Sequence, residues 1–167
     1  MGRILINMKK IIAIGDIHGL DTWKEIVKNT SFDTCVFIGD YFDSFYIDTD
    51  TQIANFREII DFKKKHSDKV ILLMGNHDLH YLLKGEKYSG YQPDMAIDIK
   101  KELLSAITHE PLIHYSAIVD NFLFSHAGVT KTWAKQNNLD LNDLNFSINT
   151  LPLNSFAFND KDYSNCG

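Results

Sequence analysis

At 167 residues the chain is long enough for one globular domain. With 44% hydrophobic and 23% charged residues, it falls outside the disordered, collagen-like and low-complexity classes. Lys and Arg number 17 against 22 Asp and Glu, a formal net charge of −5, and the basic residues are scattered apart from Lys63, Lys64 and Lys65, so nucleic acid is not expected as a main partner.

The longest aliphatic run, Val70 to Met74, is far below the roughly 18 apolar residues of a membrane span. Met1 to Met8 holds one basic residue and lacks the apolar core of ~7 residues that a secretory signal needs. Position 6 is Ile, where a myristoylation signal carries Ser or Thr. Cys35 and Cys166 are the only cysteines and form no short motif, so neither a disulfide framework nor a thiolate zinc site is expected, and the cytoplasm is the default location. A domain of this size buries roughly two-thirds of its unfolded surface, so any metal site would serve chemistry rather than folding.

In chain order, Ile11 to Ile14 is an apolar run of the kind that forms a strand covered on both faces. A helix follows over Leu20 to Asn29, with Trp23, Ile26 and Val27 at helical spacing. Cys35 to Ile38 is a second strand. Thr51 to His66 is a helix with Asp48 or Asp50 as candidate cap, and its terminal lysines form a solvated face that suits the helix dipole. Val70 to Met74 is a third strand, so the order is βαβαβ. A further helix spans about Met95 to Thr108 and ends near Pro111. Leu112 to Val119 and Phe122 to Ser125 form two strands joined by a tight turn at Asp120-Asn121. Lys131 to Asn138 is a candidate helix, and from Leu139 to Gly167 no period is visible. One α/β domain, residues 1–167, is expected.

The first three strands each run into a glycine and then a short polar residue: Gly15-Asp16, Gly39-Asp40 and Gly75-Asn76. In open α/β sheets ligands bind beyond the carboxyl ends of the strands, so Asp16, Asp40 and Asn76 converge on one edge. Each brings a companion, His18, Asp43 and His77-Asp78, and a fourth group, Ser125-His126-Ala127-Gly128, ends the last strand. Singly, Asp40 or Asp43 passes for a helix cap, Asn76 for a turn former and Asp16-x-His18 for a polar turn. Gathered together, carboxylates, an amide and imidazoles are costly to bury without a cation. Oxygen and nitrogen ligands without thiolate favour Mn, Fe, Zn or Ni, and a central Asp suits a two-ion site that clamps a phosphoryl group. His66, His80, His109 and His114 lie outside these motifs and are expected at the surface or in packing. Tyr41, Phe42, Phe45 and Tyr46 either line a substrate entrance or pack their loop.

Gly15-Asp16-Ile17-His18-Gly19, Gly39-Asp40-Tyr41-Phe42-Asp43, Gly75-Asn76-His77-Asp78 and Ser125-His126-Ala127-Gly128, in this order, resemble the calcineurin-like metallophosphoesterases, in the branch of phosphoprotein phosphatases and bacterial diadenosine tetraphosphatases. The resemblance runs from about Lys10 to Val129. It implies an αββα sandwich and hydrolysis of a phosphomonoester, in a phosphoprotein or a nucleotide polyphosphate, by a hydroxide activated at two divalent metal ions, Mn foremost. Asp16 and His18 would hold the first ion, Asp40 would bridge, and Asn76 and His126 would hold the second. His77 would protonate the leaving oxygen and Asp43 would orient its imidazole. Gly15, Gly39 and Gly75 would let the backbone turn at the strand ends.

Two positions depart from the family pattern. Many relatives carry a phosphate-gripping Arg after the position of Asp43, where this chain has Ser44, and a further metal-binding His well downstream of His126, where none occurs. The expectation is therefore a domain shortened at its C-terminus and lacking the strands that close the second sheet. Two other functions compete: a metal-binding remnant that serves a partner, and a phosphodiesterase or nuclease, the latter disfavoured by the acidic charge. A Ser-His-Asp hydrolase is disfavoured because Ser125 adjoins His126 outside any nucleophile elbow. Oligomeric state is left open.

Overall fold

The structure is a computed structural model, and it describes residues 9–85, 87–108 and 111–158. The expectations for Met1 to Met8, His109 and Cys166 fall outside those residues.

Strands β1 (Ile11–Ile14), β2 (Thr34–Phe37) and β3 (Val70–Leu73) alternate with helices α1 (Trp23–Asn29) and α2 (Thr49–Lys65), which is the βαβαβ order expected. The three strands and a two-residue β4 (Ile113–His114) pair in parallel in the order β1-β2-β3-β4. Sequential parallel strands with right-handed crossovers place their helices on one face. Trp23 of α1, Ile53, Phe56 and Ile59 of α2, and Ile99 and Leu103 of α4 (Ala96–Thr108) pack there against Cys35, Phe37, Val70, Leu72 and Ile113. The opposite face, Val36 and Leu73, is covered by an antiparallel hairpin of β5 (Ser116–Val119) and β6 (Phe122–Ser125) through Ala117 and Val119. Helices, parallel sheet and second sheet are thus stacked as three layers of the αββα order expected, and β2 and β3 are the strands buried on both sides.

Asp48 is the cap of α2, its Oδ1 accepting from the Thr51 N–H at 2.9 Å. Helix α3 (Asn76–Leu82) starts inside the third motif, so Asn76 opens a helix rather than merely ending a strand. A single 3₁₀ turn, Pro93–Met95, leads into α4.

Three expectations are corrected. The strand expected over Leu112 to Val119 breaks at Tyr115: its first part joins β3 in parallel and its second part forms the hairpin. The cause lies 34 residues on, where Asn149 Oδ1 accepts from the backbone N–H groups of Tyr115 and Ser116 at 2.9 and 3.2 Å. Asn149 ends α6 (Leu144–Asn149), a short helix capped by Asp143 in the stretch where no period was visible; α5 (Lys131–Gln136) precedes it. Finally, Lys63 is not part of a solvated face: its ammonium donates to the carbonyls of Ser67 and Val70, at 2.8 and 2.6 Å, and partial burial lowers its pKa.

Among the described residues no helix is long and apolar enough to cross a membrane. Cys35 is fully buried, and burial pushes its thiol up to about 12, so it stays protonated.

Candidate metal centre

The carboxyl ends of β1, β2 and β3 meet at a backbone crossing. A Cβ on Gly39, which has φ +102°, would lie 2.3 Å from the Gly75 nitrogen, and a Cβ on Gly75 would lie 2.2 Å from Asp40 Oδ1. Only glycines allow β2 and β3 to end this close, and the contact presses Asp40 into the centre of the site. Gly15 was expected to share this role, but the nearest atom to a Cβ there is 3.8 Å away, an ordinary contact. The left-handed turns fall instead on the functional residues themselves. Asp16, His18, Asp40 and Asp43 have φ of 51°, 41°, 57° and 74°. Each such residue costs on the order of 1–2 kcal/mol, and Asp tolerates the conformation better than most residues.

The residues singled out in the sequence come together. Ligand atoms of Asp16, His18 and Asp40 lie within 4.8 Å of one another. On the other side of Asp40, His126 Nε2 is 3.4 Å from Asp40 Oδ2 and 2.8 Å from Asn76 Oδ1. Both imidazoles are anchored at their second nitrogens: His18 Nδ1 is hydrogen-bonded to the Phe42 carbonyl, and His126 Nδ1 to the Ile38 carbonyl at 2.9 Å. Their Nε2 atoms lie 3.9 and 3.4 Å from the same carboxylate oxygen, Asp40 Oδ2. Ring nitrogens and oxygens gathered this closely around a buried carboxylate are costly to bury without a cation, and carbonyl-anchored imidazoles are the usual support for metal-ligating histidines. The donor set of Asp16, His18, Asp40, Asn76 and His126 thus fits divalent cations on either side of Asp40.

Asp40 is itself held by hydrogen bonds. Its Oδ1 accepts from the His77 N–H at 2.9 Å. Its own N–H, with those of Tyr41 and Gly75, donates to the carboxylate of fully buried Asp78 at 2.8, 2.8 and 2.9 Å. Burial and the charge of Asp40 raise the Asp78 pKa to about 8, opposed by these three backbone donors.

Beside this centre, His77 Nδ1 donates to Asp43 Oδ2 at 2.8 Å, leaving Nε2 free. Burial opposes the charged imidazole, but the hydrogen bond to Asp43 and the charges of Asp40 and Asp43 outweigh it, and the His77 pKa is raised. Burial likewise raises Asp43, yet the neighbouring donors His77, His80 and Tyr81 prevail and its pKa falls below the ordinary value. Neither Asp40 nor Asp43 caps a helix.

His80, expected in packing or at the surface, is 3% exposed and does pack, but against this pair. Its Nδ1 accepts from the Tyr88 N–H at 3.0 Å, which puts the proton on Nε2, 2.9 Å from Asp43 Oδ2 though out of line for a good hydrogen bond. Tyr81 donates its hydroxyl to Asp43 Oδ1. The sequence signal was available: His77, His80 and Tyr81 are three and four residues apart, one face of a helix. His66 and His114 are half-buried packing residues, His66 lying 4.8 Å from the ring of Phe62. Of the four aromatics expected at an entrance or within the loop, Tyr41 and Phe42 are fully buried and Phe45 and Tyr46 are exposed.

A cleft of about 290 Å³ opens beside His18, Asp43 and His77, and another of about 360 Å³ opens beside Asn76 and His126.

Residues 9–162 match the family pattern described as calcineurin-like phosphoesterase. The chain is 27% identical over 132 residues to a symmetrical bis(5'-nucleosyl)-tetraphosphatase of Thioalkalivibrio sulfidiphilus, covering 74% of this chain and 46% of that protein. It is 30% identical over 131 residues to the protein of the same name from Baumannia cicadellinicola, covering 72% and 42%. The chain thus spans less than half the length of these relatives. A solved protein serine/threonine phosphatase from Saccharomyces cerevisiae superposes with a TM-score of 0.56 at 19% identity, over 90% of this chain and 47% of that one, a likeness of fold.

Proposed function

The chain belongs to the calcineurin-like phosphoesterases, a family with dinuclear divalent-metal centres, and from that membership together with the geometry of its strand ends we propose that it carries the centre of a metal-dependent phosphatase acting on phosphate monoesters. The observation that carries this reading is the convergence of His18 Nε2 and His126 Nε2 on one oxygen of Asp40, beside the hydrogen-bonded His77 and Asp43.

In this reading Asp16 and His18 would hold one ion, Asn76 and His126 the other, and Asp40 would serve both, with Mn²⁺ the first candidate and Fe, Zn or Ni the others. Bound there, the two ions would supply positive charge to the phosphoryl oxygens and lower the pKa of water near neutrality. The chain's own residues do the rest. His77 carries a proton on Nε2 when charged and gives it to the leaving oxygen as the ester bond breaks. Asp43 accepts from Nδ1, which fixes the ring and favours its protonated state. Asp78 ties the turn that presents Asp40. The printed names of the curated relatives point to nucleoside polyphosphates as one substrate class, and the fold neighbour's points to phosphoproteins.

Hydrolysis of para-nitrophenyl phosphate and bis-para-nitrophenyl phosphate with added Mn²⁺ tests the reading. Turnover of the monoester should exceed that of the diester. With an alkyl phosphate, His77→Ala should lose roughly 10²–10⁴-fold, the range of a general acid. Preference for the diester would favour the phosphodiesterase alternative, and absence of any turnover would favour the metal-binding remnant.

A further inference from the structure

Ser44 stands where an arginine was expected to grip phosphate, and its surroundings give it a different task. Its Oγ accepts from the N–H groups of Tyr46 and Ile47 at 3.3 and 3.2 Å. Its N–H donates to Oε1 of fully buried Gln52 at 3.0 Å, and Gln52 Nε2 donates to the Ile47 carbonyl at 2.7 Å. Two polar side chains in the interior thus staple residues 44–47 into one conformation. That conformation leaves Phe45 71% and Tyr46 97% exposed, at the rim of the cleft that His77 also lines. Holding aromatic rings in water forgoes their burial, so a stapled loop that does this presents a surface for a ligand.

From this we propose that Phe45 and Tyr46 form a platform for an uncharged aromatic group on the alcohol side of the substrate, so that the site takes aryl or arylmethyl phosphate monoesters in preference to polyphosphates. The proposal rests on the phosphatase reading above. For His77 to protonate the leaving oxygen, that oxygen must come within about 3 Å of its free nitrogen. The alcohol portion then extends into the cleft beside His77, whose other walls include Leu20 and Ile47. Among the described residues no lysine or arginine lines it. Asp43 is itself buried and bonded to His77 and Tyr81, so beyond His77, which serves the leaving oxygen, a second and third phosphate placed there would meet no further side-chain cation, whereas a flat ring meets two others in the offset or edge-on contacts aromatic groups prefer.

The test is binding by nuclear magnetic resonance to the chain with labelled aromatic rings, in the presence of diamagnetic Zn²⁺. The probes are benzylphosphonate, cyclohexylmethylphosphonate and tripolyphosphate. Benzylphosphonate should bind about three- to tenfold more tightly than its saturated counterpart, the range of one aromatic contact, with ring-current shifts at Phe45 and Tyr46. In the double variant Phe45→Ser, Tyr46→Ser that preference should fall to about one; circular dichroism checks that the fold is kept, as both side chains are exposed. Equal binding of the two phosphonates, or tighter binding of tripolyphosphate, overturns the platform if the His18 and His77 resonances shift. If no probe moves those two histidines, the phosphatase reading fails and the platform falls with it.

Discussion

At Asp43 three donors reach a carboxylate that water barely touches. His77 and Tyr81 hydrogen-bond to it and His80 Nε2 lies 2.9 Å away, and together they hold its pKa below 3.8 while that of His77 rises above 6.5. The signs give a window. A raised imidazole pKa stabilises the fold below 6.5, and this is lost as pH climbs through the folded value; a depressed carboxyl pKa stabilises above 3.8, and this is lost as pH falls through the folded value. The pair therefore supports the fold most between those limits. Activity that needs protonated His77 declines as pH rises through its raised pKa. Asp43→Asn removes the negative partner, so the basic limb of the rate profile should move to lower pH, with roughly 10²-fold slower turnover of an alkyl phosphate. An unmoved limb in a pH series would show that Asp43 does not set the proton affinity of His77. The candidate ligands Asp16, His18, Asp40, Asn76 and His126 were legible because each follows a strand. His80 and Tyr81 were not, because no helix was read over Asn76 to Leu82, and without it nothing aligns them with Asp43; Asp78 was singled out beside His77, but not its task of binding the N–H groups of Asp40, Tyr41 and Gly75.

Among the elements, the strand ends are where sequence and packing agree most closely. The apolar runs gave β1, β2 and β3, and their terminal glycines gave the crossing, although the crossing uses Gly39 and Gly75 and spares Gly15. Gly39→Ala would combine a left-handed φ with a backbone clash and should lower unfolding free energy by at least about 2 kcal/mol, while Gly15→Ala should stay within about 1 kcal/mol. Urea denaturation of both variants checks this, and comparable losses would disprove the crossing as the controlling constraint. The break at Tyr115 was not legible, because its cause is a side chain on α6, and a pattern of apolar residues carries no trace of a distant amide that takes over two backbone N–H groups. Helix α6 has only six residues and one buried side chain, Ile148, too little for a period to stand out.

Over the whole molecule, the βαβαβ order, the hairpin and the edge on which the site forms could all be read before any coordinates, since each rests on local apolar runs and turn residues. How the hairpin lies across the second face of the sheet could not, because Ala117 and Val119 meet Val36 and Leu73 only after folding. The layers matter to function because they bring His126, at the end of β6, to Asp40, at the end of β2, across 86 residues of chain. Asp40 and the four residues around it, Asp16, His18, Asn76 and His126, are proposed to form a two-ion site. Elemental mass spectrometry of the purified chain after exposure to Mn²⁺ and desalting tests it most directly, with Asp40→Asn alongside. About two ions per chain, lost in the folded variant, is the result this account predicts. No bound metal in the unaltered chain, or the same metal content in both proteins, would contradict it.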